Sequence, residues 1–187
     1  MHVYVVADIF GITLALHEFL ATLSNEKPDQ RFNIVDPYQG KTMNFANETD
    51  AYHYFIEHVG VEQYASHLRS VLTADNAIKT LVGFSVGASA IWAISDNKEL
   101  RVAQAVYFYG SQIRNLLHIV PQIKSTVVFP IKEDHFCVET LAFKIEKLPN
   151  VSTKRCKYLH GFMNKHSVNF NQKAYRTYKE WLCQELS

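Results

Sequence analysis

The sequence has no apolar run long enough to span a bilayer, which takes about 20 consecutive residues, and no signal-type segment precedes its first strand pattern. Met1 leads almost directly into the β-branched and aromatic run Val3-Tyr4-Val5-Val6. We therefore expect a cytoplasmic protein that does not bind membranes.

An excess of charge is also missing. Lys and Arg number 19, Asp and Glu number 18, and the formal net charge is +1. Nucleic acids and anionic membrane surfaces attract proteins with a strong basic excess, so neither is expected as the main partner. The balance of charges instead favours a small-molecule substrate that carries little charge.

Cysteine is scarce, and its spacing matches no disulfide framework or zinc site. The three cysteines, Cys137, Cys156 and Cys183, are odd in number and far apart. We expect them to be reduced thiols packed in or near the core. Nothing in the sequence calls for a metal ion or an organic cofactor.

No linker, repeat or low-complexity tract divides the 187 residues, so a single domain over residues 1–187 is predicted. Short β-branched and aromatic segments alternate with longer amphipathic ones, which is typical of βαβ units and a mainly parallel sheet. Strands are predicted at residues 3–7, 32–35, 78–84, 103–109, 126–130 and 153–159. Helices are predicted at residues 13–23, 48–72, 86–95, 138–147 and 168–185. The irregular, aromatic-rich segment 37–57 is a candidate cap or pocket wall; the alternative is a set of surface loops folded on their own aromatic side chains.

The segment Gly83-Phe84-Ser85-Val86-Gly87 places the pattern Gly-x-Ser-x-Gly where a predicted strand turns into a helix. The chain has only 7 glycines, so chance explains the match poorly. In a nucleophile elbow the serine occupies a strained turn, and the glycines avoid collisions with the adjacent strand and helix. A second interpretation is tight packing, with Ser85 as the cap of the helix that begins at Val86.

A serine nucleophile needs a base to accept its proton and a carboxylate to orient that base. In an open parallel sheet these groups come from loops at the carboxyl ends of later strands. Among the acids after Ser85, Glu133 and Asp134 directly follow a predicted strand, and we predict Asp134, with Glu133 as the alternative. His160 directly follows the last predicted strand and is the predicted base.

Acyl transfer also requires N–H donors for the oxyanion. One is normally the amide after the nucleophile, here Val86, and the other comes from the loop after an early strand. The loop after the first predicted strand supplies Ile9 as the second donor.

Four short segments together resemble the dienelactone hydrolase family of α/β-hydrolases: Ala7-Asp8-Ile9-Phe10-Gly11, Gly83-Phe84-Ser85-Val86-Gly87, Glu133-Asp134-His135-Phe136 and His160-Gly161-Phe162. The resemblance implies an α/β-hydrolase fold with helices on both faces of the sheet. Because the chain begins at what corresponds to the family's third strand, a minimal six-stranded core is expected. Within these segments Asp8, Phe10 and Phe162 are candidates for the substrate pocket.

The chain departs from the family pattern at three positions. Ser85 stands where the name-giving enzymes have cysteine, which indicates the serine-ester branch of the family. Asp8 replaces a glutamate that is linked to control of that cysteine, and Asn164 replaces the arginine that holds the dienelactone carboxylate. Dienelactone is therefore not the expected substrate. The shortened sheet leaves an edge to be covered, and either a monomer or a homodimer is compatible with the sequence.

These observations predict a serine hydrolase that cleaves small carboxylic esters through a triad of Ser85, Asp134 and His160 and an acyl-enzyme intermediate. Thioesters and amides are compatible with the same chemistry. The alternative from another class is a non-catalytic binding or scaffold domain that has kept the fold.

Overall fold

The computed structural model describes residues 1–186 of the chain. Its six strands are β1 (His2–Val6), β2 (Arg31–Val35), β3 (Lys79–Phe84), β4 (Val102–Phe108), β5 (Lys124–Phe129) and β6 (Val151–Arg155). They form one sheet in the order β2-β1-β3-β4-β5-β6. Every neighbouring pair of strands is parallel, which confirms the predicted six-stranded α/β architecture.

Helices cover both faces of this sheet. They are α1 (Leu14–Glu26), α2 (Glu48–His58), α3 (Gly60–Thr73), α4 (Val86–Trp92), α5 (Val138–Ile145) and α6 (Gln172–Glu185), with 3-10 turns at Lys98–Leu100 and Ser111–Asn115. Because strand side chains alternate between the two faces, Val82 packs in the apolar layer under α1 and α6. Its neighbour Leu81 packs in the opposite layer, under α2 to α5.

The predicted helix 48–72 is divided into two. Val59 ends α2 by donating its N–H to the carbonyl of Phe55, and Gly60 follows with a φ of +69°. Such a left-handed conformation is typical of glycine after a helix C-terminus. The apolar periodicity continues across the break, so periodicity alone could not reveal it.

The last strand is shorter than predicted. Pairing between β5 and β6 ends with Phe129 opposite Arg155, and β6 has no neighbour on its other side to prolong it. Beyond Arg155 only single backbone bonds follow, such as the one from the Cys156 N–H to the Phe129 carbonyl. His160 therefore lies in a loop and not directly at a strand end. The final helix also begins later than predicted, at Gln172, where the Asn171 side chain caps it.

The cysteines do not all lie in the core as predicted. Cys156 is buried and Cys183 is half-buried, whereas Cys137 is exposed just before α5. Within residues 1–186, no helix combines the length and the apolar character needed to cross a membrane.

The strand order has its reversal point between β1 and β3. From β1 the chain passes to β2 on one side, and it then returns to place β3 on the other side. Crevices at the carboxyl ends of strands next to such a point are the usual ligand sites of open α/β sheets. The loop after β1 and the turn after β3, which carry Ile9 and Ser85, therefore lie side by side.

Candidate active site

Ser85 occupies the turn between β3 and α4 in a strained backbone conformation. Its φ is +52° and its ψ is −114°, a combination that costs free energy for a residue other than glycine. The Ser85 N–H donates to the carbonyl of Phe108 at 2.9 Å, which anchors the turn to β4. The Ser85 hydroxyl does not cap α4, so the interpretation of this residue as a helix cap is wrong.

The two glycines of the motif are needed because α4 packs very close to the sheet. A Cβ atom on Gly83 would lie 2.7 Å from the backbone nitrogen of Ala88. A Cβ atom on Gly87 would collide with the carbonyl oxygens of Val6 and Ala7 in β1 and its loop. Both neighbours are backbone atoms of packed elements, so neither can move aside cheaply.

A hydrogen-bonded chain of three side chains begins at Ser85. Its Oγ lies 2.9 Å from Nε2 of His160, and Nδ1 of His160 lies 2.7 Å from Oε1 of Glu133. With a proton on Nδ1, the imidazole donates to Glu133 and leaves Nε2 to accept the Ser85 proton. The His160 and Glu133 side chains are 28% and 11% exposed, so Glu133 is largely withdrawn from water.

The prediction of Asp134 as the partner of His160 is wrong. The Asp134 side chain is 84% exposed, and its carboxylate lies 3.6 Å from the Lys132 ammonium group. Glu133 and Asp134 are adjacent in the loop after β5, and the loop directs only the first toward His160. Glu133, which the sequence analysis gave as the alternative, is the carboxylate that lies next to His160.

Ile9 and Val86 line the same cleft as Ser85. Val86 is the first residue of α4, so its N–H has no acceptor within the helix. The Ile9 carbonyl accepts a 2.6 Å hydrogen bond from the Tyr38 hydroxyl, which fixes that peptide from one side. In the part of the chain that the structure describes, neither the Ile9 nor the Val86 amide donates to a protein acceptor.

The cleft above Ser85 has a volume of about 230 Å³. Tyr52 forms one of its other walls, and the remaining lining comes from residues that sequence reasoning did not assign to the site: Ser111, Gln112, Arg114, His135 and Phe136. Tyr52 belongs to the segment 37–57 that was predicted as a candidate wall. The Arg114 guanidinium lies 5.1 Å above the Phe136 ring, and its only sequence signal is its position after β4.

Of the candidate pocket residues, Phe162 belongs to the core, so its assignment to the pocket is wrong. Its side chain is completely buried, and its ring packs 5.0 Å from that of Tyr178 in α6. Gly161 has a φ of +82° and turns the chain inward after His160. Phe10 is also buried and packs on His166, with ring centroids 5.3 Å apart.

Asp8 lies beside the reacting groups but outside the main cleft. It lines a separate small void together with Ser85 and His160. Burial raises the pKa of the Asp8 carboxyl above its usual value, while hydrogen bonds from the Phe10 N–H and the Asn164 amide oppose that rise. The Asp8 carboxyl therefore accepts hydrogen bonds from the backbone of Phe10 and from the side chain of Asn164.

Tyr109 supports the other side of the histidine. Its φ is +41°, which makes it a second strained residue at this edge of the sheet, and its ring centroid lies 4.9 Å from that of His160. Among the described residues, no group of three or more His, Cys, Asp and Glu side chains is arranged to hold a metal ion.

A parallel sheet with a serine on a strained turn after β3, and a histidine and a carboxylate on later loops, defines the α/β-hydrolase fold. The model of the dienelactone hydrolase family matches residues 2–185, and the chain belongs to this family. It is 30% identical to the uncharacterized protein YczH of Bacillus subtilis strain 168 over 174 residues, which are 86% of this chain and 85% of the relative.

Solved structures show the same fold at low sequence identity. A candidate dienelactone hydrolase of Klebsiella pneumoniae subsp. pneumoniae MGH 78578 superposes with a TM-score of 0.74 at 15% identity, covering 98% of this chain and 85% of the other. The dienelactone hydrolase-like promiscuous phosphotriesterase P91 from metagenomic libraries gives 0.69 at 14% identity, covering 98% and 84%. Esterase PE8 gives 0.61 at 15% identity, covering 98% and 91%.

Proposed function

We propose that this protein is a serine hydrolase that cleaves small carboxylic esters, with Ser85 as nucleophile, His160 as base and Glu133 as the orienting carboxylate. The observation that carries the proposal is the hydrogen-bonded chain from Ser85 Oγ through His160 to Glu133, with distances of 2.9 Å and 2.7 Å. Such a chain generates a nucleophile from a hydroxyl that is otherwise weakly reactive.

The reaction proceeds in two halves. Nε2 of His160 takes the Ser85 proton as Oγ attacks the ester carbonyl, and the amides of Ile9 and Val86 stabilise the oxyanion. His160 then returns the proton to the leaving alcohol, and an acyl-Ser85 ester remains. In the second half His160 activates a water that releases the acid. The Glu133 carboxylate orients His160 and stabilises its imidazolium form in both halves.

The size of the cleft supports a small substrate. Ligand pockets for drug-sized molecules measure ~300–1,000 Å³, whereas this cleft has about 230 Å³. Its walls include the apolar side chains of Ile9 and Phe136, which suit a short acyl or alcohol group. Esters are favoured by membership of the family and by the esterase among the structural neighbours; thioesters and amides use the same chemistry.

The test is hydrolysis of p-nitrophenyl esters from acetate to octanoate by the wild-type protein, Ser85→Ala and Ser24→Ala. Ser24 is an exposed serine of α1, far from the cleft, and serves as the matched control. We expect the wild type and Ser24→Ala to hydrolyse short esters best. Ser85→Ala should lose at least ~10⁴-fold in kcat, as triad nucleophiles do when removed.

Labelling with a fluorophosphonate probe adds a readout that does not depend on the choice of ester. The wild type and Ser24→Ala should be labelled at one site, and Ser85→Ala should not. Equal ester hydrolysis by all three proteins, together with no labelling of any, would overturn the proposal. It would leave the non-catalytic binding domain as the remaining function class.

A further inference from the structure

Two loops bring the proposed reacting groups to Ser85. The oxyanion loop, residues 7–13 after β1, carries Ile9, and the base loop, residues 156–171 after β6, carries His160. They lie far apart in sequence and leave non-adjacent strands. A carboxyl–amide hydrogen bond between Asp8 and Asn164 joins them directly.

Asp8 organises the oxyanion loop. Its Oδ1 accepts the Phe10 N–H at 3.0 Å, and its backbone carbonyl accepts the Gly11 N–H at 3.0 Å. These two bonds enclose the Ile9 peptide in a tight turn. The Tyr38 hydroxyl donates to the Ile9 carbonyl. Because the Asp8 carbonyl before Ile9 and the Ile9 carbonyl itself are both hydrogen-bonded, the direction of the Ile9 N–H is fixed.

Asn164 organises the base loop in the same way. Its backbone N–H donates to the carbonyl of Gly161 at 2.8 Å, and its own carbonyl accepts the Ser167 N–H at 3.0 Å. Its side-chain Oδ1 accepts the His166 N–H at 2.7 Å, which leaves Nδ2 for Asp8 Oδ2. Both the oxygen and the nitrogen of the Asn164 side-chain amide are therefore hydrogen-bonded, and Asn164 links several residues of the loop that carries His160.

We infer that the Asp8–Asn164 pair is a positioning pair: by joining the two loops, it fixes the Ile9 N–H and the His160 imidazole relative to each other and to Ser85. Neither side chain lines the substrate cleft, so both act through the residues they hold. This inference rests on the proposed serine-hydrolase function and extends it. A small misplacement of a donor or base lowers catalytic rate steeply, so the pair should affect turnover more than substrate binding.

The hydrogen-bond pattern predicts which substitutions the pair tolerates. Position 8 must offer an acceptor to the Phe10 N–H, and position 164 must offer an acceptor to the His166 N–H. In Asp8→Asn the new amide nitrogen faces Asn164 Nδ2, donor against donor. In Asn164→Asp two carboxylates face each other. The double exchange restores one donor and one acceptor between the loops and keeps both backbone contacts.

The experiment compares the two single variants with the double variant Asp8→Asn/Asn164→Asp. The readouts are kcat, KM and the inhibition constant of a trifluoromethyl ketone, whose adduct with serine bears the oxyanion. Removing an oxyanion donor outright costs ~10²–10³ in rate, so we expect each single variant to lose at least ~10-fold in kcat. KM should change little, inhibition should weaken in parallel with kcat, and the double variant should recover to within about threefold of the wild type.

Wild-type kcat in both single variants would overturn the inference, and so would a double variant no better than the poorer single one. If the single variants do not fold, Asn164→Ala takes their place. It removes the link to Asp8 together with the side-chain acceptor of the His166 N–H, and it leaves the Asp8 turn intact. A lower kcat at constant KM supports the inference, and an unchanged kcat refutes it. Failure of the proposed function is distinguishable, since the wild type would then show no Ser85-dependent hydrolysis.

Discussion

The amino edge of the sheet, where the strands begin, and the carboxyl edge, where they end, differ in how their backbone and polar groups are held. At the amino edge the Asp75 carboxylate lies 2.6 Å from His2 Nδ1 and accepts hydrogen bonds from the Tyr4 hydroxyl and the Ala77 N–H. The buried Lys79 ammonium donates to the carbonyls of Ala77 and Leu100. The Asp75 carboxylate and the Lys79 ammonium therefore both have close hydrogen-bond partners.

At the carboxyl edge the same strands end in strained or partly satisfied groups. Ser85 and Tyr109 both have positive φ, the Ile9 and Val86 amides have no protein acceptor among the described residues, and burial raises the pKa of the Asp8 carboxyl. Positive φ is not confined to this edge, because Arg101 before β4 and Asn150 before β6 also adopt it. By contrast, hydrogen bonds from Ala77, His2 and Tyr4 lower the pKa of the Asp75 carboxyl. The two edges therefore differ in how their carboxyl groups and amides are paired, and strained residues such as Ser85 are typical of functional sites.

The largest effect that should separate the two edges is on catalysis. Glu133→Gln should lower kcat by about 10³–10⁴-fold, because loss of the carboxylate in the proposed triad leaves the histidine in the wrong tautomer. Asp134→Asn, one residue further, should keep wild-type kcat. Ester hydrolysis by both purified variants is the measurement. A greater loss in Asp134→Asn than in Glu133→Gln would contradict the assignment.

The next effect concerns the close packing at the carboxyl edge. Gly87→Ala should cost about 3 kcal/mol, the upper end of the ~1–3 kcal/mol range for overpacking, because the added Cβ meets two backbone carbonyls. Kcat should fall as α4 shifts. Gly40→Ala is the contrast, since its Cβ meets nothing within 4 Å and only its φ of +86° is strained.

Urea unfolding and ester hydrolysis would measure both glycine variants. Gly40→Ala should lose about 1–2 kcal/mol and keep its kcat. Equal losses of stability and activity in the two variants would contradict the view that glycine is needed at position 87 to avoid steric contact with β1.

Substitution of Asp75 at the amino edge should change the stability of the protein and leave its kcat unchanged. Asp75→Asn should lower the free energy of unfolding by about 1–2 kcal/mol at neutral pH, because charged hydrogen bonds are lost. The native pKa of Asp75 is depressed, so its stabilisation is present above the unfolded pKa of ~3.9 and declines as the pH falls below it.

Urea unfolding of the wild type and Asp75→Asn at a series of pH values from neutral to acid would test this dependence. The difference between the two proteins should shrink below about pH 4, while kcat at neutral pH stays unchanged. A difference that is constant over the whole range would mean that the charge of Asp75 does not stabilise this edge.

The smallest effect isolates the strain at Ser85. Ser85→Gly should be more stable than Ser85→Ala by about 1 kcal/mol, because glycine adopts positive φ without steric cost. At Ser89, inside α4, the order should reverse, with alanine favoured by roughly 0.5–1 kcal/mol. Thermal unfolding of the four variants gives the comparison, and the same order at both positions would rule out strain at the elbow.

Much of the architecture was predictable because it depends on local pattern. The alternation of apolar segments predicted the six strands, and Gly83 and Gly87 around Ser85 predicted the elbow. The boundary at Gly60 was missed because apolar periodicity runs through it. The end of β6 was missed because strand length at a sheet edge depends on how far its neighbour, β5, continues to pair.

The site was predictable only to the level of the loop. Position after a strand selected both Glu133 and Asp134, and a one-residue choice between them depends on backbone torsions that residue type does not encode. Phe162 was misassigned because an aromatic residue after a catalytic histidine looks the same in sequence whether it faces the pocket or the core. The bond between Asp8 and Asn164 has no sequence signal, since it joins residues distant in the chain.

By itself the sequence determined the α/β class, the order of the strands along the chain, and the placing of Ser85 after β3 and of His160 in the loop after β6, because these depend on residue type and local periodicity. Only the tertiary structure decided which carboxylate meets His160, which aromatic side chains enter the core, and how two distant loops are tied together beside Ser85. Those outcomes depend on side-chain directions and on contacts between segments, and packing sets both only once the whole sheet has formed.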